Sequence, residues 1–180
     1  MLPDSDIKIA GSRPSAEIRK KAEGRDETPE LSKEKMKTAE ELGLTVAEKY
    51  LSDAGKFSPD DDAEDFEMAI QRRLLLSFAA TVGFEQYCPD DTLCGIAQKG
   101  FLDAVKKAAP DVYKTSGDTG AFSFYYLAYR RGGEVDRRIG QTFAMLCSHD
   151  GDPIYQELGE ALYCWFLSFV KKSAAAAFGT

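Results

Sequence analysis

Apolar residues recur at steps of three and four along most of this chain and almost never at alternate positions, which is the period of a helix with one buried face. Ala39, Leu42, Val46 and Tyr50 form one such stripe. Thr28-Pro29 supplies a start signal ahead of it, a capping hydroxyl followed by proline at the first helical position. Gly43 interrupts the stripe, and Thr45 with Glu48 has capping-box spacing, so the segment reads as one helix or as two short ones.

Further along, Ile70, Leu74 and Phe78 lead toward Phe84 in a second helix. Asp60, Asp61, Asp62, Glu64 and Asp65 cluster at its start, where negative charge complements the helix dipole. Asp90 or Asp91 caps a third helix carrying Leu93, Ile96, Ala97, Phe101, Leu102 and Val105, which ends before Pro110. "FSFYYLAY", from Phe122 to Tyr129, is a short helix apolar nearly all round, with Gly132 or Gly133 as its left-handed cap. Val135, Ile139, Thr142, Phe143 and Leu146 make the next stripe. Asp152-Pro153 opens a last helix through Leu158, Leu162, Trp165 and Phe169.

No strand or hairpin signal stands out. The pattern predicts an all-α fold, a single compact helical bundle or orthogonal array of six to seven helices. The helices beginning near Phe122 and Asp152 are expected to be central, because both are apolar on several faces. Residues 1–28 are polar and unpatterned and read as a flexible tail preceding a helical domain over 29–180.

Composition narrows the class. The 180 residues are 43% hydrophobic and 29% charged, as expected of a soluble globular protein. A net charge of −7 argues against nucleic acid and anionic membranes as partners. The longest apolar run, Ala161 to Val170, would span only about 15 Å as a helix, too short for a bilayer. No leader pattern opens the chain, so its four cysteines read as reduced thiols of a cytoplasmic protein.

Candidate chemistry is sparse. Asp118-Thr119-Gly120-Ala121 spells the run around the catalytic carboxylate of aspartic proteases, but no apolar strand precedes it, and Asp118 reads as a helix N-cap. The sole histidine, His149, lies in "MLCSHDGDPIY" beside Cys147, Asp150 and Asp152. A metal site or Cys–His nucleophile is conceivable there. The reading preferred is a helix stop and restart, with His149 in the last turn, Gly151 as left-handed cap and Asp152 opening the next helix. Cys88 and Cys94 are six apart, wider than the usual zinc pair, and nothing in their spacing from Cys147, Cys164 and His149 implies convergence. A carboxylate-bridged di-metal bundle needs two Glu-x-x-His pairs, which one histidine cannot supply. Counted from Asp60, the acidic run places Asp65 and Gln71 where a calcium loop requires glycine and glutamate. No metal or other cofactor is expected.

Arg130, Arg131, Arg137 and Arg138 flank a Gly-Gly turn that could hold an anion, although Glu134 and Asp136 oppose one. Phe122, Tyr125, Tyr126 and Tyr129 crowd one helix, with Tyr155, Tyr163 and Trp165 on another. Buried phenols need partners, and a polar-tipped aromatic pocket is one way to provide them. Three functional expectations follow. The first is a protein-interaction or regulatory module, binding a protein partner or itself. The second is a bundle that binds an anionic or aromatic small molecule through Tyr125, Tyr126, Tyr129, Arg130, Arg131 and Trp165. The third is an enzyme using Cys147 or His149 with Asp150.

Overall fold

The computed structural model describes residues 29–54, 63–116 and 119–179. Among them are seven helices and no strand: α1 (Pro29–Asp53), α2 (Ala63–Tyr87), α3 (Asp91–Ala108), α4 (Pro110–Ser116), α5 (Thr119–Arg130), α6 (Val135–Leu146) and α7 (Pro153–Phe178). The expected all-α bundle is what forms. Residues 1–28, the carboxylates Asp60 to Asp62 and the expected cap Asp118 lie outside the described residues. No described helix is long and apolar enough to cross a membrane.

α1 is continuous through Gly43. The Thr45 hydroxyl donates to the Glu41 carbonyl one turn back instead of capping a second helix. Gly43 is there for packing: any side-chain carbon at this position would meet the α3 backbone at Ala97 and Phe101. The absence of a side chain lets α1 and α3 approach closely, and Ala39, Leu42, Val46 and Tyr50 are the buried face of α1.

α1 pairs with α3, and α6 pairs with α7. α2 runs between these two pairs and meets every other helix, α7 most of all. It is the central element. Residues 73–80 of α2 are buried without a break, which is the mark of a helix enclosed on all sides. α5 is less enclosed than its composition suggests, for Phe124 and Leu127 are exposed.

α7 also differs from the periodic reading. Its buried face is Gly159, Tyr163, Phe166, Val170 and Ala174. Leu158 and Trp165, two of the apolar positions by which the pattern traced this helix, lie on the outside. A helix apolar on several faces carries no unique inward stripe. Here the packing of Gly159 against Phe143 of α6 decides the rotation.

The helix ends follow local chemistry. Asp90 caps α3, its Oδ1 accepting from the Leu93 amide at 2.9 Å. Asp152 caps α7, accepting from the Ile154 amide at 2.8 Å, with Pro153 at the first position. After α6 the left-handed cap is Ser148 (φ 62°), not Gly151. The His149 amide donates to the Ala144 carbonyl and the Ser148 amide to that of Met145. These two bonds define a Schellman closure. Gly151 (φ 80°) serves the next turn instead.

Candidate functional site

Where α3 ends, Pro110 starts the seven-residue α4, which turns back onto α3 and α2. So short a helix does not fill the space between α3 and α5. The facing wall of α2 presents Ser77 and Thr81, one turn apart, in place of large apolar residues. The result is a cleft of about 560 Å³ lined by five of the seven helices. Tyr50 comes from α1, Phe101, Leu102 and Val105 from α3, Tyr113 and Lys114 from α4, and Phe122, Ser123 and Tyr126 from α5.

Its aromatic wall is held by ring contacts. Tyr50 meets Phe101 edge-on at 5.4 Å, while Phe122 and Tyr126 meet the core ring of Phe78 at 5.9 and 5.1 Å. The Tyr50 hydroxyl donates to the Arg73 carbonyl at 3.3 Å, and the Arg73 Nε donates to the Ala54 carbonyl at 3.2 Å. That bond ties a buried guanidinium to the end of α1. The Tyr126 hydroxyl donates to Glu85 Oε1 at 3.2 Å. Burial, and then the Glu85 carboxylate, push the Tyr126 phenol up to about 12. It stays protonated and a donor at neutral pH. Cations stand by the rings: Arg130 lies 5.8 Å from the Tyr126 ring and Lys106 lies 5.6 Å from Tyr113. Lys114 is the charged side chain in the lining, which contains no carboxylate among the described residues.

Of the aromatic and basic residues singled out by sequence, Phe122 and Tyr126 line this cleft, and Arg130 lies outside the lining with its guanidinium over the Tyr126 ring. Tyr125 turns into the core, stacked on Phe78 at 5.3 Å. Its buried hydroxyl has no hydrogen-bond partner among the described residues. Tyr129 accepts from Gln86 Nε2 at 2.8 Å, away from the cleft lining. Arg131 is exposed in the turn after α5. Trp165 sits on the outer face of α7 beneath the Lys49 ammonium, 4.9 Å from its ring centre. Sequence reasoning missed the contributions of α1, α3 and α4. The available signal was Ser77 and Thr81, small polar residues within an otherwise apolar helix.

Two of the four arginines around the Gly-Gly turn have partners within it. Arg138 donates to the Gly132 carbonyl, and Arg137 pairs with Glu134 at 3.5 Å. Of the four thiols, Cys88 and Cys94 are near enough to act on each other. Burial pushes Cys147 up to about 12, with Glu67 adding to the effect. Cys88 is likewise pushed up to about 12 by burial, then by Cys94 and Asp90. Cys164 rises to about 11 by burial and the neighbouring Asp136. His149 stacks flat on Tyr155 at 3.7 Å. No three His, Cys, Asp or Glu side chains are grouped to hold a metal ion among the described residues.

In comparisons with protein-family models, with curated proteins and with solved structures, no significant match to this chain was found.

Proposed function

We propose that this protein binds a small, largely apolar molecule in the cleft between α3, α4 and α5, with the molecule's anionic or hydrogen-bonding end at Lys114. The observation that carries the reading is the cleft itself, about 560 Å³ and walled by Tyr50, Phe101, Phe122 and Tyr126. Small-molecule sites occupy about 300–1,000 Å³ and combine apolar walls with a few polar groups. Ring faces suit an aromatic or alkyl body. The Lys114 ammonium suits a carboxylate or similar tip, while the Thr81 hydroxyl donates to the Ser77 carbonyl at 3.1 Å and offers a ligand its oxygen as an acceptor.

The test is thermal unfolding against a panel of aromatic carboxylates, fatty acids and their uncharged analogues, on the native chain and on Ser123→Phe. A ligand at one hundred times its dissociation constant adds about 2.7 kcal/mol of stability. Stabilisation by some class, lost in Ser123→Phe because the new ring fills the cleft, is the expected result. A flat response from the native chain, or a response that Ser123→Phe leaves unchanged, overturns the reading.

A second reading, a protein-interaction module, draws on Phe124 and Leu127, exposed and one turn apart on α5. Isolated apolar side chains are ordinary on surfaces, whereas a neighbouring pair is the start of a contact patch. A photo-cross-linking residue at 127 should give one dominant adduct in cells. A diffuse ladder of adducts would remove the support. An enzyme built on Cys147 finds no help in its surroundings, since a buried, protonated thiol is a poor nucleophile.

A further inference from the structure

We infer that α7 pairs antiparallel with α7 of a second copy of this chain, through the face bearing Ile154, Leu158, Ala161 and Trp165. These residues are spaced four, three and four apart, a single stripe along the helix. They lie on the side of α7 away from its buried face. Ile154 is 73% exposed, Trp165 41% and Leu158 36%, and Ala161 is exposed between them. The stripe continues through exposed Ser168 and Lys172, about 27 Å in all.

Charge selects the occupant. The N-terminal part of this face carries Glu157 and its C-terminal part carries Lys172, with Lys49 of α1 over the Trp165 ring between them, while Lys171 is turned aside over Tyr87 of α2. Glu157 and Lys172 are both exposed, and neither is in a salt bridge among the described residues. An antiparallel copy brings its basic end to the acidic end of the first, and the two-fold axis makes this happen twice. A parallel copy would set like charges side by side.

Size selects the register. With Ala161 opposite Trp165 of the copy, a small residue faces a large one at two symmetric points. The same register sets Lys172 opposite Ile154, one turn from Glu157. Its aliphatic stem then covers the isoleucine while the ammonium reaches the carboxylate. Glycine at 159 turns the other face of α7 toward α6, so the stripe is left outward by the fold's own packing. A contact made through one helix face is small, so the dimer is weak and concentration-dependent.

Sedimentation of the full chain from about 1 μM to about 1 mM tests it. Reversible dimerisation is expected. Ile154→Glu should raise the dissociation constant about tenfold or more, because it puts a charge in the apolar seam. Glu157→Lys and Lys172→Glu should each weaken it several-fold, and an equimolar mixture of the two should regain the native value. All three positions are exposed, and circular dichroism would verify that each variant folds. A chain that stays monomeric throughout overturns the inference, and assigns the face to another occupant such as residues 1–28 or a different protein. A dimer indifferent to Ile154→Glu, or a mixture that does not recover, overturns it as well.

Discussion

Gly159 of α7 lies so close to Phe143 of α6 that a methyl group on it would stand 2.5 Å from the phenylalanine Cβ. Gly140 meets α7 in the same way, its missing side chain leaving room for the Gln156 carbonyl and for Glu160. Two glycines, one from each helix, thus set how closely the pair packs.

Gly159→Ala should therefore destabilise the fold. Overpacking costs about 1–3 kcal/mol, against which alanine's better helix propensity returns up to about 1 kcal/mol. A net loss of about 1–2 kcal/mol is expected, read as a lower urea midpoint at unchanged slope. A gain in stability would mean that the two helices separate freely.

Tyr125 buries its hydroxyl without a hydrogen-bond partner among the described residues. Removing an unsatisfied buried donor relieves a desolvation penalty of about 1–3 kcal/mol. Tyr125→Phe should be neutral or raise stability by about 1 kcal/mol in urea unfolding. A clear loss would show that ordered water satisfies the hydroxyl.

Cys147 should make the protein sensitive to alkali. Its thiol is held at about 12 in the fold against an ordinary value of 9.0. Between those values the unfolded chain has released a proton that the folded chain keeps, so stability falls as pH rises. The contribution is intact below about pH 9 and declines toward pH 12 with a slope of up to about 1.4 kcal/mol per unit. Cys147→Ala should flatten unfolding free energy against pH above 9, though not fully, since Cys88 is raised in the same direction. At pH 7 the Cys147 thiol should react with a maleimide no faster than the protein opens.

Ser148 occupies the left-handed region at φ 62° with its side chain exposed. An L-residue there costs about 1–2 kcal/mol, part of which glycine recovers at the expense of chain entropy. Ser148→Gly should raise stability by about 0.5–1 kcal/mol in the same measurement. No gain would mean that the serine hydroxyl offsets the strain.

Some of this was readable along the chain. The stripe of Ala39, Leu42, Val46 and Tyr50 is the buried face of α1 because its other faces are mostly polar, leaving one favourable way to turn. Asp90 and Asp152 announced the starts of α3 and α7, since a cap acts within three residues. The cleft was legible only in part. Phe122 and Tyr126 were named from the crowding of α5, yet most of the lining comes from residues far apart in sequence, such as Tyr50 and Tyr113. Nothing local records that they meet.

By itself, then, the sequence determined helix content, most helix boundaries and the inward face of each clearly amphipathic helix, because these depend on period and on capping over a few residues. Only the tertiary structure decided the rest. It made α2 the central helix, rotated α7 so that Trp165 faces outward, and left a cleft beside the short α4. Those outcomes depend on how nearly two backbones can approach, at Gly43 against α3 and at Gly159 against Phe143, and on volumes summed over distant segments.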